Sequence, residues 1–491
     1  MKFTVRRVAG PSRRHLRGQA VIWLMGTMVA CAAILYGVFS TAQITVAKQR
    51  TINAADAAAL AASTVQARVL NLAAYNNRAM VANEAFLIQM LSIESWLQYF
   101  GTTANNFGTL ADIVGIFIPP IEVIGQILDK LATATNKVHD VLVKVDDKAI
   151  IPLIEASKYA LVNAHMAVIK VGGVLAEDAA TKVVEANRTN FGTHEDVGVE
   201  IDKRPKVRAA TFIANEKDWL NFTTQYTGAG RKDSAEVVLE SRDRFSAERN
   251  GKWYFNLNAG LVGTEKRGGS TLKDFNHWET EDTLELWEKV PCKSGMCKEY
   301  QPIGWGRSNA DKNGSAGEVW EPKRMAQKFA YEEATSHGGN GGKFMNWSGV
   351  PEVWDVKDKS AKARATLGVD FIVATRKSRA AVLTTNQMGM GEDTPAVTGS
   401  GDMKERAEAD QYTALAKSRV FFERPQRGLA NDKTGGPLWR PDNAKEYGSL
   451  FSPYWQARLT DLTPLEKAGM LAAMDMLPDK VLYTPGGQDK P

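Results

Sequence analysis

The sequence predicts an α+β chain: one transmembrane helix continuing into a long extramembrane helix and helical bundle, followed by a mixed, mainly antiparallel region. Three observations carry this expectation. An uncharged apolar stretch follows an arginine-rich start, and an alanine-rich run free of Pro and Gly follows the stretch directly. From about residue 205, helical periodicity gives way to short alternating runs among frequent Trp and Gly.

The apolar stretch comes first. No charged residue occurs from Gly18 to Ala47, and the apolar part is Ala20–Ala42. As a helix, that part is about 35 Å long, enough for a hydrocarbon core of about 30 Å. The preceding 18 residues hold six of the chain's 61 basic residues and no acid, which leaves 55 basic against 56 acidic in the remainder. An Arg-rich flank on one side predicts a cytoplasmic tail and a body on the far face, which is the periplasm in a Gram-negative cell. The expected location is therefore the inner membrane, single-pass. A leader cleaved after Ser40-Thr41-Ala42 or after Gly18 is the alternative. The apolar core exceeds the 7–15 residues of a leader, and the fifth position after Gly18 is Trp23, where prepilin-type processing favours Glu.

The alanine-rich run predicts one long helix. Thr41–Phe100 contains neither Pro nor Gly, and Leu60, Val65, Val69, Leu70, Leu72, Met80, Val81, Phe86, Leu87 and Met90 recur at mixed intervals, three and four residues prominent among them. Alanines at 54, 55, 57, 58, 59, 61 and 62 leave the helix thin. Such a face suits close packing on other helices, or equally on the chain's own body. After Pro119-Pro120, residues 121–149 and 153–187 keep helical periodicity, so a bundle is expected over about 60–190.

The last region predicts strands. KWYFNLN, DTLELWEKV, TLGVDFIVATRK, YTALAKSRVFF and YWQARLT alternate as half-buried strands do. The expected organisation is a tail at 1–18, an anchor at 19–46, a helical stalk or bundle at 47–195, an α+β domain at 205–475 and a tail at 476–491. Cys292 and Cys297, separated by a four-residue spacer that includes Gly295, are expected to close a disulfide in an oxidising compartment.

Composition narrows the function. At 491 residues, 44% hydrophobic and 24% charged, the chain has an ordinary globular composition. Mean hydropathy of -0.28 argues against many spans. The basic excess lies in the tail rather than over a folded face, so no nucleic-acid partner is expected. The sequence holds no zinc-peptidase His pair, Gly-x-Ser-x-Gly elbow, phosphate loop or dinucleotide loop. His139, His165, His194-Glu195-Asp196 and His337 read as structural or solvated. No catalytic, cofactor or metal site is expected.

The Gly18-Gln19-Ala20 start, the uncharged span and Asn53-Ala54-Ala55-Asp56-Ala57-Ala58-Ala59 closely resemble the amino-terminal module of the TadE/TadG-like Flp pilus-assembly family. Leu70-Asn71 and Asn77-Arg78-Ala79-Met80-Val81-Ala82-Asn83-Glu84 resemble a longer form of that family's helix. Phe421–Pro425 and Leu450–Leu459, with Tyr454, Trp455, Gln456 and Arg458, resemble carboxy-terminal sequence of large members. The resemblance implies a non-enzymatic, inner-membrane structural or assembly component of a tight-adherence system. Its partners would be the bilayer and other assembly proteins or pilin-like helices, with an oligomer possible. The von Willebrand A metal motif of many such proteins is not expected, because Asp358-Lys359-Ser360-Ala361-Lys362 puts Lys where a Ser ligand belongs. A tethered adhesin or sensor, and more distantly a periplasmic hydrolase, are the rival readings.

Overall fold

A computed structural model describes residues 19–115, 119–187, 200–201, 219–255, 262–293, 295–312, 343–344, 346–357, 367–378, 411–423 and 447–474. The tails expected at 1–18 and 476–491 lie outside these residues, as do His194, His337 and Asp358.

The fold is organised on one helix, α1 (Gln19–Gly115), of 97 residues. At 1.5 Å per residue it is about 145 Å long. Its first stretch is bare: the most apolar window has a mean hydropathy of 2.1 and none of it is buried. From Ala47 onward α1 is clothed by the rest of the chain. Helix α2 (Pro119–Val145), a π-turn (Asp146–Ile150) and α3 (Ile151–Ala186) return alongside it. The return is antiparallel, since Ile151 and Ile154 meet α1 near Leu87 and Leu91, whereas Ala180 and Val184 meet it near Ala54 and Ala58. A second window, within 125–186, is also long and apolar enough to cross a bilayer by length and composition; 22% of it is buried. Its neighbours here are α1 and the sheets, which buried Lys158, His165 and Ile169 contact.

The strands are β1 (Glu200–Ile201), β2 (Thr223–Gln225), β3 (Gly251–Phe255), β4 (Val262–Asp274), β5 (His277–Cys292), β6 (Gly295–Asp311), β7 (Lys343–Phe344), β8 (Trp354–Val356), β9 (Gly368–Ser378), β10 (Gln411–Phe422) and β11 (Trp455–Thr460). They form a four-stranded sheet in the order β1-β9-β10-β11, a five-stranded sheet in the order β3-β4-β5-β6-β7, and a β2-β8 pair. All pairings are antiparallel except β6 with β7. Two short helices, α4 (Lys232–Glu240) and α5 (Arg244–Ala247), precede β3. Helix α6 (Pro464–Ala473) follows β11 and begins in a Thr463–Glu466 capping box. The five runs read as strands from the sequence fall on β3, β5, β9, β10 and β11. The polar β4 and most of β6 carry no apolar alternation and were not foreseen.

The expected division between a stalk at 47–195 and a domain at 205–475 does not divide the core. One cluster joins α1 alanines 54, 55, 58, 59 and 62 to Ala176 and Ala180 of α3 and to Phe371, Val373, Ala414 and Ala416 of β9 and β10. Another joins Leu87, Ile88 and Leu91 of α1 to Leu272, Trp278 and Ala310 of the five-stranded sheet. The strands sit directly on the helix instead of beyond its end.

Candidate functional site

Two segments far apart in sequence meet on α1. Asn71 offers its side-chain amide to β11 as a neighbouring strand would: Nδ2 donates to the Trp455 carbonyl at 3.0 Å and Oδ1 accepts from the Trp455 amide at 3.0 Å. Nearly two turns on, buried Asn77 donates from Nδ2 to the carbonyls of Trp354 (2.7 Å) and Leu450 (2.8 Å), and Arg78 Nε donates to the Phe451 carbonyl at 2.7 Å. Trp455 is held edge-on by Phe422 and Phe222 and donates from Nε1 to the Ser449 carbonyl. Tyr454 meets the edge of Phe422, Gln456 donates to the Glu423 carbonyl, and the Arg458 guanidinium lies 4.5 Å from the Phe421 ring centre. The two segments thus form one clasp.

The other predicted positions divide by helix face. Ala54, Ala55 and Ala58 are fully buried against α3 and the four-stranded sheet. Asn53 and Ala57 are exposed, and Asn53 accepts from Gln49 at 2.9 Å. Asp56 is half-buried, which raises its carboxyl above the usual range. Gln19 begins α1; its side chain lies outside the described residues. Cys292 and Cys297 are bonded across the β5–β6 hairpin with Cα atoms 5.8 Å apart, and Gly295 supplies the left-handed turn at φ 119°.

A second contact zone lies further along α1. Gln98, Thr102 and Asn106, spaced i, i+4, i+8, reach the backbone of β6. Gln98 Oε1 accepts from the Arg307 amide at 2.8 Å, Thr102 bonds both the amide (3.0 Å) and the carbonyl (2.6 Å) of Trp305, and Asn106 donates to the Ile303 carbonyl at 2.7 Å. Polar side chains of the helix thereby cover a strand edge that would otherwise stand open. Glycines 304 and 306 make this approach possible: a Cβ on Gly306 would collide with the Ser95 carbonyl and the Tyr99 amide, and one on Gly304 with Thr103.

Buried charges lock the same zone. Asp282, fully buried, takes Arg249 at 2.7 Å, Lys266 at 2.6 Å and the Ser95 hydroxyl at 2.9 Å. Burial lowers the Lys266 ammonium below its usual range despite Asp282, and pushes the Tyr99 phenol up to about 12. Fully buried Glu84 pairs with Lys158 at 3.0 Å and accepts from Trp347 Nε1 at 3.2 Å, and desolvation raises its carboxyl. Glu94 faces Asp146 of the π-turn. Burial, with Asp146 adding to it, pushes Glu94 up to about 9, and burial raises Asp146 as well.

Asp282 and Glu84 are thus met by cationic, hydroxyl and indole donors, and among the described residues no cluster of three His, Cys, Asp or Glu is arranged to hold a metal. His165 is buried and stacked on Trp354, and burial lowers it to about 4, so it is neutral. Burial also lowers His139, which lies beside Asp140. The site's chemistry is recognition of backbone edges by side-chain amides. Sequence reasoning missed Gln98, Thr102, Asn106, Lys158 and Asp282. The four-residue spacing of the first three on an otherwise apolar helix was the available signal. Compared with family models, curated proteins and solved structures, the chain gives no match.

Proposed function

We propose that this chain is an inner-membrane-anchored structural or assembly component of a tight-adherence (Flp, type IVc) pilus or related secretion system, working by protein packing and not by catalysis. The observation that carries this reading is the division of α1. The helix is uncharged and mostly exposed over residues 20–46, then continues without a break into a body that clothes it from Ala47. A body fused to its anchor in this way suits a part that holds partners at a set height above a bilayer. The arginine tail puts that body in the periplasm, in a single-pass topology. Deleting the gene should lower the pilus protein sheared from cells and their attachment to surfaces, and a membrane-inserted wild-type copy should restore both. Normal piliation in the deletion strain would overturn the reading.

A further inference from the structure

Helix α2 is dressed the wrong way round for a member of a bundle. Its inner face is small and polar: Gly125, Ala132, Thr135 and His139 are buried toward α1. Most of its aliphatic residues outside Leu128, Leu142 and Val143 point outward. Ile127, Leu131, Ala134, Val138, Val141 and Val145 alternate by four and three residues, and the large ones are 42% to 61% exposed. At 100° per residue they form a straight stripe roughly 80° wide and about 27 Å long.

That spacing is a heptad seam, with Leu131, Val138 and Val145 at a and Ile127, Ala134 and Val141 at d. The residue preceding each a position is Lys: Lys130, Lys137 and Lys144, all at g and all exposed. None of the three forms an ion pair among the described residues. The opposite edge, at e, holds Leu128, Thr135 and Leu142, which turn in toward the body. The seam therefore has one wet edge, and that edge is uniformly basic.

We infer that the outer face of α2 docks an amphipathic helix of another protein, through a heptad seam whose facing edge carries Asp or Glu. Charge complementarity singles out this occupant. In a parallel pair of two copies, g faces e of the partner, where α2 has no acid. In an antiparallel pair, g faces g, lysine against lysine. A second copy is disfavoured either way. An interfacial lipid helix needs a broad apolar face, whereas an a/d-only stripe is the narrow form that fits one helix. This inference stands on α2 alone and goes beyond the pilus reading; its test leaves the anchor and piliation untouched.

The test uses the full chain in nanodiscs and two synthetic 28-residue helical peptides, both with Leu at a and d. One carries Glu at e and g, the other Lys. The acidic peptide should bind at least tenfold more tightly, and high salt should narrow that margin. The triple variant Lys130→Glu, Lys137→Glu, Lys144→Glu should reverse the preference. Val138→Asp with Val141→Asp, both at exposed positions, should abolish binding of either peptide while thermal unfolding stays unchanged. Equal binding of the two peptides, or a preference the lysine reversal leaves intact, would overturn the proposal. So would a homodimer, or binding to vesicles of mixed zwitterionic and anionic lipid, that the Val138→Asp, Val141→Asp variant destroys.

Discussion

The two sheets meet the same helix with different emphasis. The four-stranded sheet lies mainly on alanines, where Ala54, Ala58 and Ala62 meet Phe371 and Val373, with the Ser63–Ser418, Thr375–Thr51 and Asn71–Trp455 hydrogen bonds beside them. The five-stranded sheet lies on hydrogen bonds and buried charge, where Gln98, Thr102 and Asn106 bond β6 and Asp282 gathers Arg249 and Lys266. The first contact gains from close fit and dispersion, and any side chain small enough will serve it. The second is specific in register, because each amide must meet its own carbonyl, and it fails steeply if one charge is lost.

The sharpest break of that contrast is Asp282→Ala. It strands Arg249 and Lys266, which are 5% and 10% exposed at the side chain, without their shared anion. Removing one partner from a buried ion pair costs about 3–5 kcal/mol. Thermal unfolding of the detergent-solubilised protein, followed by tryptophan fluorescence, should show a loss of that size. Adding Lys266→Met to the same variant should recover part of it. A loss below about 1 kcal/mol would mean that Asp282 is solvated and the network contributes little.

Legibility in the sequence follows the same divide. The alanine contact was readable, since a run of small residues at helical spacing announces close approach whatever lies opposite. The strands β9, β10 and β11 were readable because they alternate apolar and polar residues over one buried face. The five-stranded sheet was half hidden: β4 reads VGTEKRGGSTLKD, and its Glu265 and Lys266 are buried only because Lys252, Arg267 and Asp282 neutralise them. Partners from other strands cannot be seen in a local pattern. The clasp was visible only as two separate motifs, and the fold supplied the contact between Asn71 and Trp455.

The next effect separates the two contacts by pH. Burial holds the Glu94 carboxyl at about 9, well above its ordinary value, so the folded chain keeps a proton there that the unfolded chain releases near pH 4.5. A raised carboxyl contributes stability that is fully present below the unfolded pKa and is lost as pH climbs toward the folded one. Between pH 6 and 8 the slope is at most about 1.4 kcal/mol per pH unit, or ~3 kcal/mol in all. Glu94→Gln, which keeps an acceptor for the Ser308 hydroxyl without the charge, should flatten that decline in unfolding scans taken at successive pH values. Equal slopes in wild type and variant would show that Glu94 is ionised in the folded chain.

Ala58→Leu gives the smallest expected change and bears most directly on the alanine contact. Ala58 is fully buried between α3 and the four-stranded sheet, so three extra carbons have no space to enter. Overpacking of this kind costs about 1–3 kcal/mol. Because the contact carries no titrating partner of the kind found at Glu94, the loss should be the same at pH 6 and pH 8. Hydrogen exchange should quicken in β9 and β10 and leave β6 as it was. If β6 loosens equally, the two sheets are coupled through α1, and the helix transmits strain along its length instead of carrying two independent loads.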